Sequence, residues 1–262
     1  MVKSRRRASK AVKGTYLALI LTFLYLPIVV MIALSFNKSV SRAEWTGFTF
    51  DWYLRLFKNS NILSALKVTL EVAIAATIVS TIIGTLGAIG IFASKKGWSD
   101  ALVAVSYLPM TTPDIVTGVS LMLMFVFMRV PLNGMTMLMA HIAFDTPYVL
   151  FSVMPRLKQM DPNMYEAALD LGCKPMEAIW KVIIPEIKPG IVTGALMAFT
   201  MSIDDFVISY FTSNTEQNLS MLVYSSARRG VEPTMYALST LMFIAVLGLL
   251  LLVNRRSSLE DM

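Results

Sequence analysis

Charged residues are scarce in this sequence. Lysine, arginine, aspartate and glutamate make up 15% of its 262 residues, whereas hydrophobic residues make up 56%. A soluble domain carries roughly 25% charged residues, so this composition excludes an ordinary water-soluble protein. Apolar runs recur along the chain that are long enough for a helix to cross a bilayer, which takes about 20 residues. The sequence therefore predicts an all-α, polytopic membrane protein.

Residues for disulfide, metal and nucleophilic chemistry are equally few. Cys173 is the one cysteine, which excludes an intrachain disulfide, and we interpret it as a small apolar filler. His141 is the one histidine, and a lone intramembrane histidine is more often a hydrogen-bonded packing residue than a metal ligand. No G-x-x-x-x-G-K-[ST] phosphate loop occurs. We therefore expect no metal and no cofactor in this chain, and the pattern disfavours a membrane-embedded enzyme.

Six apolar segments predict six transmembrane helices in a single domain, 1–262. A basic tail precedes the first segment, but an apolar run of about 22 residues is too long for the h-region of a signal peptide, so we expect it to remain as a span. That span explains the basic tail better than nucleic-acid binding does. Residues 37–63 are rich in aromatic side chains, which suit a short interfacial helix. The predicted spans are 15–36, 64–92, 101–128, 132–154, 188–212 and 234–253.

The distribution of positive charge predicts the orientation. Six spans put both termini on one side, and that side carries 15 of the lysines and arginines, against eight on the other. Loops that are rich in lysine and arginine stay in the cytoplasm. We therefore expect a protein of the cytoplasmic (inner) membrane, with both termini and the 155–188 loop in the cytoplasm.

A polar stretch between the fourth and fifth spans has the pattern of a helix–glycine–helix hairpin. Asp161-Pro162 is a helix-start signal, with a side-chain oxygen followed by proline. Gly172 stands where the chain must turn with positive φ. Pro175 opens a second short helix, and we expect Pro185 to close it.

The same stretch resembles the EAA loop of ABC-importer permeases, the MetI-like family. The match consists of Glu166-Ala167-Ala168, then Gly172 after three further residues, then Pro185 thirteen beyond that glycine. The resemblance implies a cytoplasmic coupling loop, residues 158–187, that docks on a separate ATP-hydrolysing subunit. ATP and Mg would then be bound by that partner, and this chain would be a transport subunit rather than an enzyme.

The hairpin departs from the family pattern at two positions, Val182 and Ile184, where the family usually has isoleucine and leucine. Similarity to the spermidine/putrescine type of these permeases covers nearly the whole chain, although permeases for iron, aminoethylphosphonate and other solutes share parts of it. It implies a second permease subunit, an ATPase dimer, an extracytoplasmic polyamine-binding protein and alternating access. The matching stretches are 25–29, 34–37, 45–49, 52–53, 112–116, 120–121 and 201–205.

Five acidic residues fall within the predicted spans, where each costs about 2.5 kcal/mol or more near the bilayer centre. Such acids normally face a bundle interior or a watered cavity, and a cavity lined by carboxylates attracts cations. A cation channel would share these acids but has no use for a docking hairpin. The five are Glu71, Asp114, Asp145, Asp204 and Asp205.

The acids do not carry equal weight. Glu71 follows Lys67 by one turn and favours an interfacial ion pair. Pro109 and Pro113 interrupt the helix ahead of Asp114. Asp114 follows Pro113 and Asp145 precedes Thr146-Pro147, so each could either cap a restarting helix or line a substrate pathway, with Tyr148 as an aromatic neighbour of Asp145. Asp204 and Asp205 are adjacent and point about 100° apart on an unbroken helix. One of them is therefore expected to face the pathway while the other bonds a neighbouring helix or caps a break.

Overall fold

The computed structural model describes the backbone of residues 2–41, 43–161 and 163–260, and the side chains of 13–41, 43–161, 163–228 and 230–248. In this part of the chain the regular elements are helices, and one isolated β-bridge joins Asn37 to Phe48. The helices are α1 (Val2–Ser35), α2 (Asp51–Lys58), α3 (Ser60–Ala93), α4 (Lys96–Thr111), α5 (Asp114–Phe127), α6 (Gly134–Gln159), α7 (Met164–Asp170), α8 (Pro175–Ala178), a π-helical turn (Ile179–Ile183), α9 (Ile184–Asp204), α10 (Val207–Thr212), α11 (Leu219–Arg229) and α12 (Pro233–Glu260).

The predicted spans all fall in helices, although not all of them cross a membrane as one straight rod. Four described helices are long and apolar enough to span, and a bent pair makes a fifth. The last predicted span falls in α12, whose described apolar part is the shorter Pro233–Gly248. Several residues used in the charge and helix-start arguments lie outside the described side chains: Lys3, Arg5, Arg6, Arg7, Lys10, Arg42, Pro162, Arg229, Arg255 and Arg256.

The chain divides into two compact units, Met1–Leu63 with Ser225–Met262, and Ser64–Tyr224. In the first unit α12 packs against both α1 and α2. The predicted interfacial helix is α2, and it is tied to the end of α1 by two hydrogen bonds. Trp52 Nε1 donates to the carbonyl of Asn37 at 2.7 Å, and the hydroxyls of Tyr53 and Ser35 lie 2.7 Å apart.

In the second unit α6 is held between α3 and α9 by glycines that allow close backbone approach. A β-carbon at Gly84 of α3 would lie 2.7 Å from Val149 Cβ, and one at Gly194 of α9 would lie 3.0 Å from Val149 Cα. Small residues at helix–helix contacts are the usual means of tight packing in membranes. Val149 is fully buried as a result, and it belongs to a core contributed by α3, α6 and α9.

The predicted span 101–128 is interrupted, as its prolines predict. Helices α4 and α5 meet at an angle of 105°, and the break falls at Thr112-Pro113. Thr112 is extended, with φ −82° and ψ 136°, because a residue before proline is driven out of the helical region. Pro109 remains inside α4, so Pro113 alone marks the break.

The predicted span 188–212 is also discontinuous. Helix α9 ends at Asp204, Asp205 is extended with ψ 123°, and α10 begins at Val207. A single-turn interruption of this kind is tolerated at membrane depth only where protein or water satisfies the freed backbone groups.

The expectation that Pro185 closes the second helix of the hairpin is wrong. The helix runs without a stop from Pro175 to Asp204. A proline inside a helix clashes with the carbonyl four residues earlier. Here the π-helical turn Ile179–Ile183 precedes it, and the Ile184 N–H bonds to the Ile179 carbonyl five residues back. The wider turn accommodates Pro185 within a continuous helix.

Candidate functional site

The break between α9 and α10 is capped by Asp205. Its Oδ1 accepts a hydrogen bond from the Ile208 N–H at 3.1 Å, and its Oδ2 accepts from the Ser209 N–H at 2.7 Å and the Ser209 hydroxyl at 2.9 Å. These are the bonds of an N-terminal helix cap, which satisfies orphan N–H groups of α10. Of the alternatives open for the acidic pair, Asp205 is therefore the residue that caps the break.

His141 on α6 bridges the two halves of the broken helix. Its Nδ1 lies 2.6 Å from the hydroxyl oxygen of Ser202 on α9, and its Nε2 lies 2.9 Å from that of Ser209 on α10. Nε2 is also 3.4 Å from Asp205 Oδ2. The imidazole is only 1% exposed. The expectation of a hydrogen-bonded packing residue is confirmed, but no spacing in the sequence predicted that both ring nitrogens would be used across the break.

Asn218 is a second member of this network that sequence reasoning missed. Its amide donates to the Asp205 carbonyl at 3.0 Å and to the Ser209 hydroxyl at 2.8 Å, while its Oδ1 accepts from the Met221 N–H and caps α11. The next residue, Leu219, donates its N–H to Thr69 Oγ1 on α3 at 2.8 Å. The network therefore ties α3, α6, α9, α10 and α11 together. A capping signal, asparagine before a helical stretch, was present in the sequence.

Asp145 is the acid without partners. It is 0% exposed, and within the described residues neither carboxylate oxygen has a hydrogen-bond partner. Helix α6 continues through Asp145 and Pro147, so the alternative in which Asp145 caps a restarting helix is excluded. An ionised carboxylate buried without hydrogen bonds or a counter-charge is strongly unfavourable, so such a group either takes up a proton or is satisfied by a ligand, an ion or water. Asp145 lies close enough to Asp205 for their charges to interact.

The other predicted pathway residues differ in how exposed they are and in which charged groups lie near them. Tyr148 is half-buried and within electrostatic reach of both Asp114 and Asp145. Asp114 is exposed in the first turn of α5, where a carboxylate favours the helix dipole, and its side chain makes no capping hydrogen bond. Asp204 is exposed at the end of α9. Asp145 is therefore within electrostatic reach of Tyr148 and Asp205, and Asp114 is within reach of Tyr148.

Glu71 stands apart from this group. Its Oε1 lies 3.7 Å from Lys67 Nζ, and both side chains are exposed. The predicted ion pair one helical turn apart is confirmed.

The coupling loop turns at Gly172, as its sequence predicts. Gly172 has φ +92°, and a β-carbon there would meet nothing within 4 Å. The Gly172 N–H bonds to the Leu169 carbonyl at 2.9 Å, and the Cys173 N–H bonds to the Ala168 carbonyl at 3.1 Å. This pair of bonds is the Schellman motif, which ends α7 and requires positive φ at its turning residue. Glycine is therefore needed for backbone conformation and not for space.

The structure also shows where the hairpin begins and which of its side chains are exposed. Asp161 Oδ1 accepts from the Asn163 N–H at 2.9 Å, and α7 begins at Met164. Ala168 is buried, whereas Glu166, Ala167 and Pro185 are exposed. Three large apolar side chains near them are also exposed: Leu171 (86%), Met176 (65%) and Trp180 (64%). We call these three residues the apolar patch of the coupling loop.

Comparison with known proteins gives the family. Residues 80–256 match the family described as the binding-protein-dependent transport system inner membrane component. The chain belongs to this family. It is 34% identical to the spermidine/putrescine transport system permease protein PotC of Haemophilus influenzae, over 92% of this chain and 94% of that protein. It is 37% identical to the putrescine transport system permease protein PotI of Escherichia coli strain K12, over 86% of this chain and 83% of that protein.

Solved structures support the fold of the permease. A bacterial ABC transporter involved in the import of the acidic polysaccharide alginate has a chain that superimposes with a TM-score of 0.79, with 15% identity and coverage of 95% of this chain and 96% of that one. An amino acid ABC transporter solved with histidines gives a TM-score of 0.56, with 21% identity and coverage of 78% and 98%. The shared architecture is that of ABC-transporter permeases.

The bridge made by His141 generates a prediction for stability. His141→Leu removes the ring nitrogens from Ser202 and Ser209. The Ser209 hydroxyl keeps its bonds to Asp205 and Asn218, but the buried Ser202 hydroxyl loses its partner, which costs about 1–3 kcal/mol. We expect a lower thermal midpoint for the purified permease, and non-additive effects in double-mutant cycles of His141→Leu with Ser202→Ala and with Ser209→Ala.

A matched control uses Thr200→Val, because the Thr200 hydroxyl is exposed and bonds within its own helix to the Leu196 carbonyl. Its cycle with His141→Leu should be additive. Additive behaviour in the Ser202 cycle or the Ser209 cycle would contradict a bridge across the break.

Proposed function

We propose that this permease forms the translocation pathway of an ATP-driven importer for polyamines, such as spermidine and putrescine, which an extracytoplasmic binding protein delivers. The observation that carries the proposal is the similarity to PotC and PotI over 86% or more of the chain. The fold alone does not select a solute, because a structural neighbour is involved in importing an acidic polysaccharide. The choice of a cation rests on the side chains around the break.

The charges of those side chains favour a cationic solute. Asp145 is buried without a partner, and Asp114 and Asp204 present exposed carboxylates. An ammonium group entering this region supplies the missing counter-charge and can donate charge-assisted hydrogen bonds to carboxylates. The ring of Tyr148 adds an aromatic face of the kind that attracts cations. An anionic solute would meet repulsion from the same groups.

Asp205 takes a different role in this proposal. Its two oxygens already accept hydrogen bonds from Ile208 and Ser209, and His141 stands beside it. We assign Asp205 the structural role of stabilising the break between α9 and α10. We assign contact with the solute to Asp145, Asp114 and Asp204.

We infer the partner subunits from the coupling loop. Its apolar patch (Leu171, Met176 and Trp180) is exposed, and exposed apolar clusters of this kind mark protein–protein contacts. We assign the patch, with Glu166 and Ala167 beside it, to docking of an ATPase subunit, which would bind ATP and Mg. A second permease subunit would complete the pathway. A simple cation channel would leave this patch without a role.

The orientation is a testable part of the proposal. Because lysine and arginine favour the cytoplasmic side, we expect both termini and the coupling loop in the cytoplasm and the 37–63 and 213–233 loops outside. Reporter fusions after Asn37 and after Lys158 should score as outside and inside respectively. The reverse pattern would exclude docking of a cytoplasmic ATPase on the coupling loop.

Uptake measurements test the solute. The reconstituted complex should accumulate radiolabelled putrescine or spermidine, and Asp145→Asn should reduce uptake at least about tenfold, equivalent to roughly 1.4 kcal/mol, because asparagine keeps the volume and removes the charge. Asp204→Asn should also reduce uptake without loss of complex assembly.

The control for charge removal is Glu71→Gln. Glu71 is exposed and paired with Lys67, so its variant should transport normally. Accumulation of another solute in place of polyamines would contradict the proposed substrate, and full uptake by Asp145→Asn would exclude that residue from the pathway.

Substitutions at Gly172 test the coupling between the permease and ATP hydrolysis by the partner subunit. A side chain at its positive φ costs roughly 1–2 kcal/mol and would tilt α7 against α8. Gly172→Val should leave the permease in the membrane but abolish transport-stimulated ATPase activity. Gly172→Asn should retain more activity, since asparagine adopts positive φ most readily after glycine.

Gly230 offers a matched control for this strain. It has φ +109° and open space around it, but lies in the 213–233 loop. Gly230→Val should therefore keep its transport-stimulated ATPase activity. Equal losses in both valine variants would show that backbone strain, and not the position in the coupling loop, causes the effect.

A further inference from the structure

The side-chain amide of Asn218 has one orientation that suits its backbone neighbours. Its Oδ1 accepts from the Met221 N–H at 2.9 Å, and its Nδ2 donates to the Asp205 carbonyl at 3.0 Å. A backbone N–H only donates and a backbone carbonyl only accepts, so these two bonds fix which end of the amide is which. Nδ2 is therefore also the donor to the hydroxyl oxygen of Ser209, which lies 2.8 Å away.

The Ser209 hydroxyl has one hydrogen to share among three side-chain partners. Asn218 is a donor to it, whereas Asp205 Oδ2, at 2.9 Å, also accepts the Ser209 N–H, as an ionised carboxylate does. The hydroxyl hydrogen therefore goes to Asp205, since otherwise two oxygens would face each other without a hydrogen between them. The remaining lone pair of the hydroxyl oxygen faces His141 Nε2 at 2.9 Å, so Nε2 must carry a proton.

The other ring nitrogen of His141 faces the hydroxyl of Ser202. The two atoms are 2.6 Å apart, and both residues are 1% exposed. An imidazole with its one proton on Nε2 has an acceptor at Nδ1, to which the Ser202 hydroxyl can donate. An imidazolium would bury a positive charge, and its bond to a carboxylate would be about 2.7–2.9 Å long. Nε2 is instead 3.4 Å from Asp205 Oδ2 and closer to the neutral Ser209 hydroxyl, which favours the uncharged ring.

A neutral His141 leaves the charge of Asp205 without compensation inside the network. Serine, asparagine and a neutral imidazole carry no charge, so the network carries the single negative charge of Asp205. Asp145 lies one helical turn from His141 on α6 and within electrostatic reach of Asp205, and it cannot add a positive charge. Lys67 on α3 is exposed and paired with Glu71. A cation that approaches the break therefore meets negative charge and no free positive charge among these residues.

We propose that His141 is a positioning residue for cation transport, held as the neutral imidazole with its proton on Nε2. In this form it fixes the Ser209 hydroxyl, and through it the carboxylate of Asp205, without cancelling the charge of that carboxylate. A positively charged side chain at the same place could also hold the break, but it would repel an ammonium group. The proposal rests on the proposed function and adds the residue that keeps the charge near the break negative.

Nitrogen NMR tests the protonation state directly, because His141 is the one histidine of this chain. In the reconstituted complex with isotopically labelled histidine, the signals of His141 are those that disappear in His141→Gln. We expect one protonated and one unprotonated ring nitrogen at neutral pH. Carbon–nitrogen correlation should show that the protonated nitrogen is bonded to Cδ2, which identifies it as Nε2. Two protonated nitrogens, or a proton on the nitrogen bonded to Cγ, would overturn the proposal.

Substitutions of different charge test the link to transport. Glutamine is neutral and offers an N–H donor for Ser209 and an oxygen acceptor for Ser202, whereas lysine has donors only and is positively charged. We expect at least about fivefold more putrescine uptake by the reconstituted complex with His141→Gln than with His141→Lys. Equal uptake by the two variants would contradict the role of a neutral side chain.

A serine variant keeps the proposal testable if His141→Lys does not assemble. Ser202→Ala removes the hydroxyl that donates to Nδ1, so it should shift the signal of the unprotonated nitrogen of His141 and leave that of Nε2 in place. Thr200→Val, on the same helix, is the control and should shift neither signal, because the Thr200 hydroxyl bonds to the Leu196 carbonyl. A shift of the Nε2 signal alone in Ser202→Ala would overturn the assignment.

The two kinds of measurement separate this inference from the proposed function. The expected nitrogen signals together with accumulation of another solute in place of polyamines would contradict the proposed function alone. Polyamine uptake by a wild-type complex in which both ring nitrogens of His141 are protonated would contradict this inference alone. Two protonated nitrogens together with absence of polyamine uptake would contradict both.

Discussion

The structure depends on the requirement that a backbone buried in a membrane keeps its polar groups paired. An unbroken helix meets that requirement by itself, but the gap between α9 and α10 does not. Asp205 supplies acceptors to two N–H groups of α10, His141 bridges from Ser202 to Ser209, and Asn218 closes the network by donating to the Asp205 carbonyl. These side chains come from separate parts of the chain, so the packing around the break is specified by the same bonds that make the break possible.

The continuous helix that leads to this break has a mechanical consequence. From Pro175 to Asp204 it runs for 30 residues, roughly 45 Å at 1.5 Å per residue. Its first turns carry Met176 and Trp180 of the apolar patch, and its last residue is Asp204 beside the capped break. Because the π-helical turn absorbs Pro185, the helix is continuous between the two ends. A displacement of the coupling loop by a docked partner would therefore reach the break through one continuous helix.

Sequence reasoning predicted the features that arise from local rules and missed those that depend on distant contacts. The apolar segments, the positive φ of Gly172 and the Lys67–Glu71 pair follow from length, turn chemistry and helical spacing, and each was predicted. The break at Pro113 was predicted from two prolines four residues apart. The break at Asp205 was only one of the alternatives, because an acid within an apolar run is compatible with a cap or with an intact helix. The prediction that Pro185 ends a helix was wrong, because the helix continues through this proline by means of a π-helical turn, and no residue type predicts such a turn. The network around His141 joins residues 61 and 68 positions apart, which no single sequence reveals.

The acids show why residue type alone does not determine role. Asp205 and Asp145 are both buried in the same helical unit, and both were predicted as pathway residues from their depth in the chain. Asp205 follows a helix end, so its oxygens reach the N–H groups of the next helix and are used there. Asp145 lies in the middle of α6, where every nearby N–H is already bonded within the helix, so its oxygens have no local donor. The backbone therefore decides which carboxylate is hydrogen-bonded within the protein and which is left without a partner. Under the proposed function, the unpartnered carboxylate would be the one that meets the cationic solute.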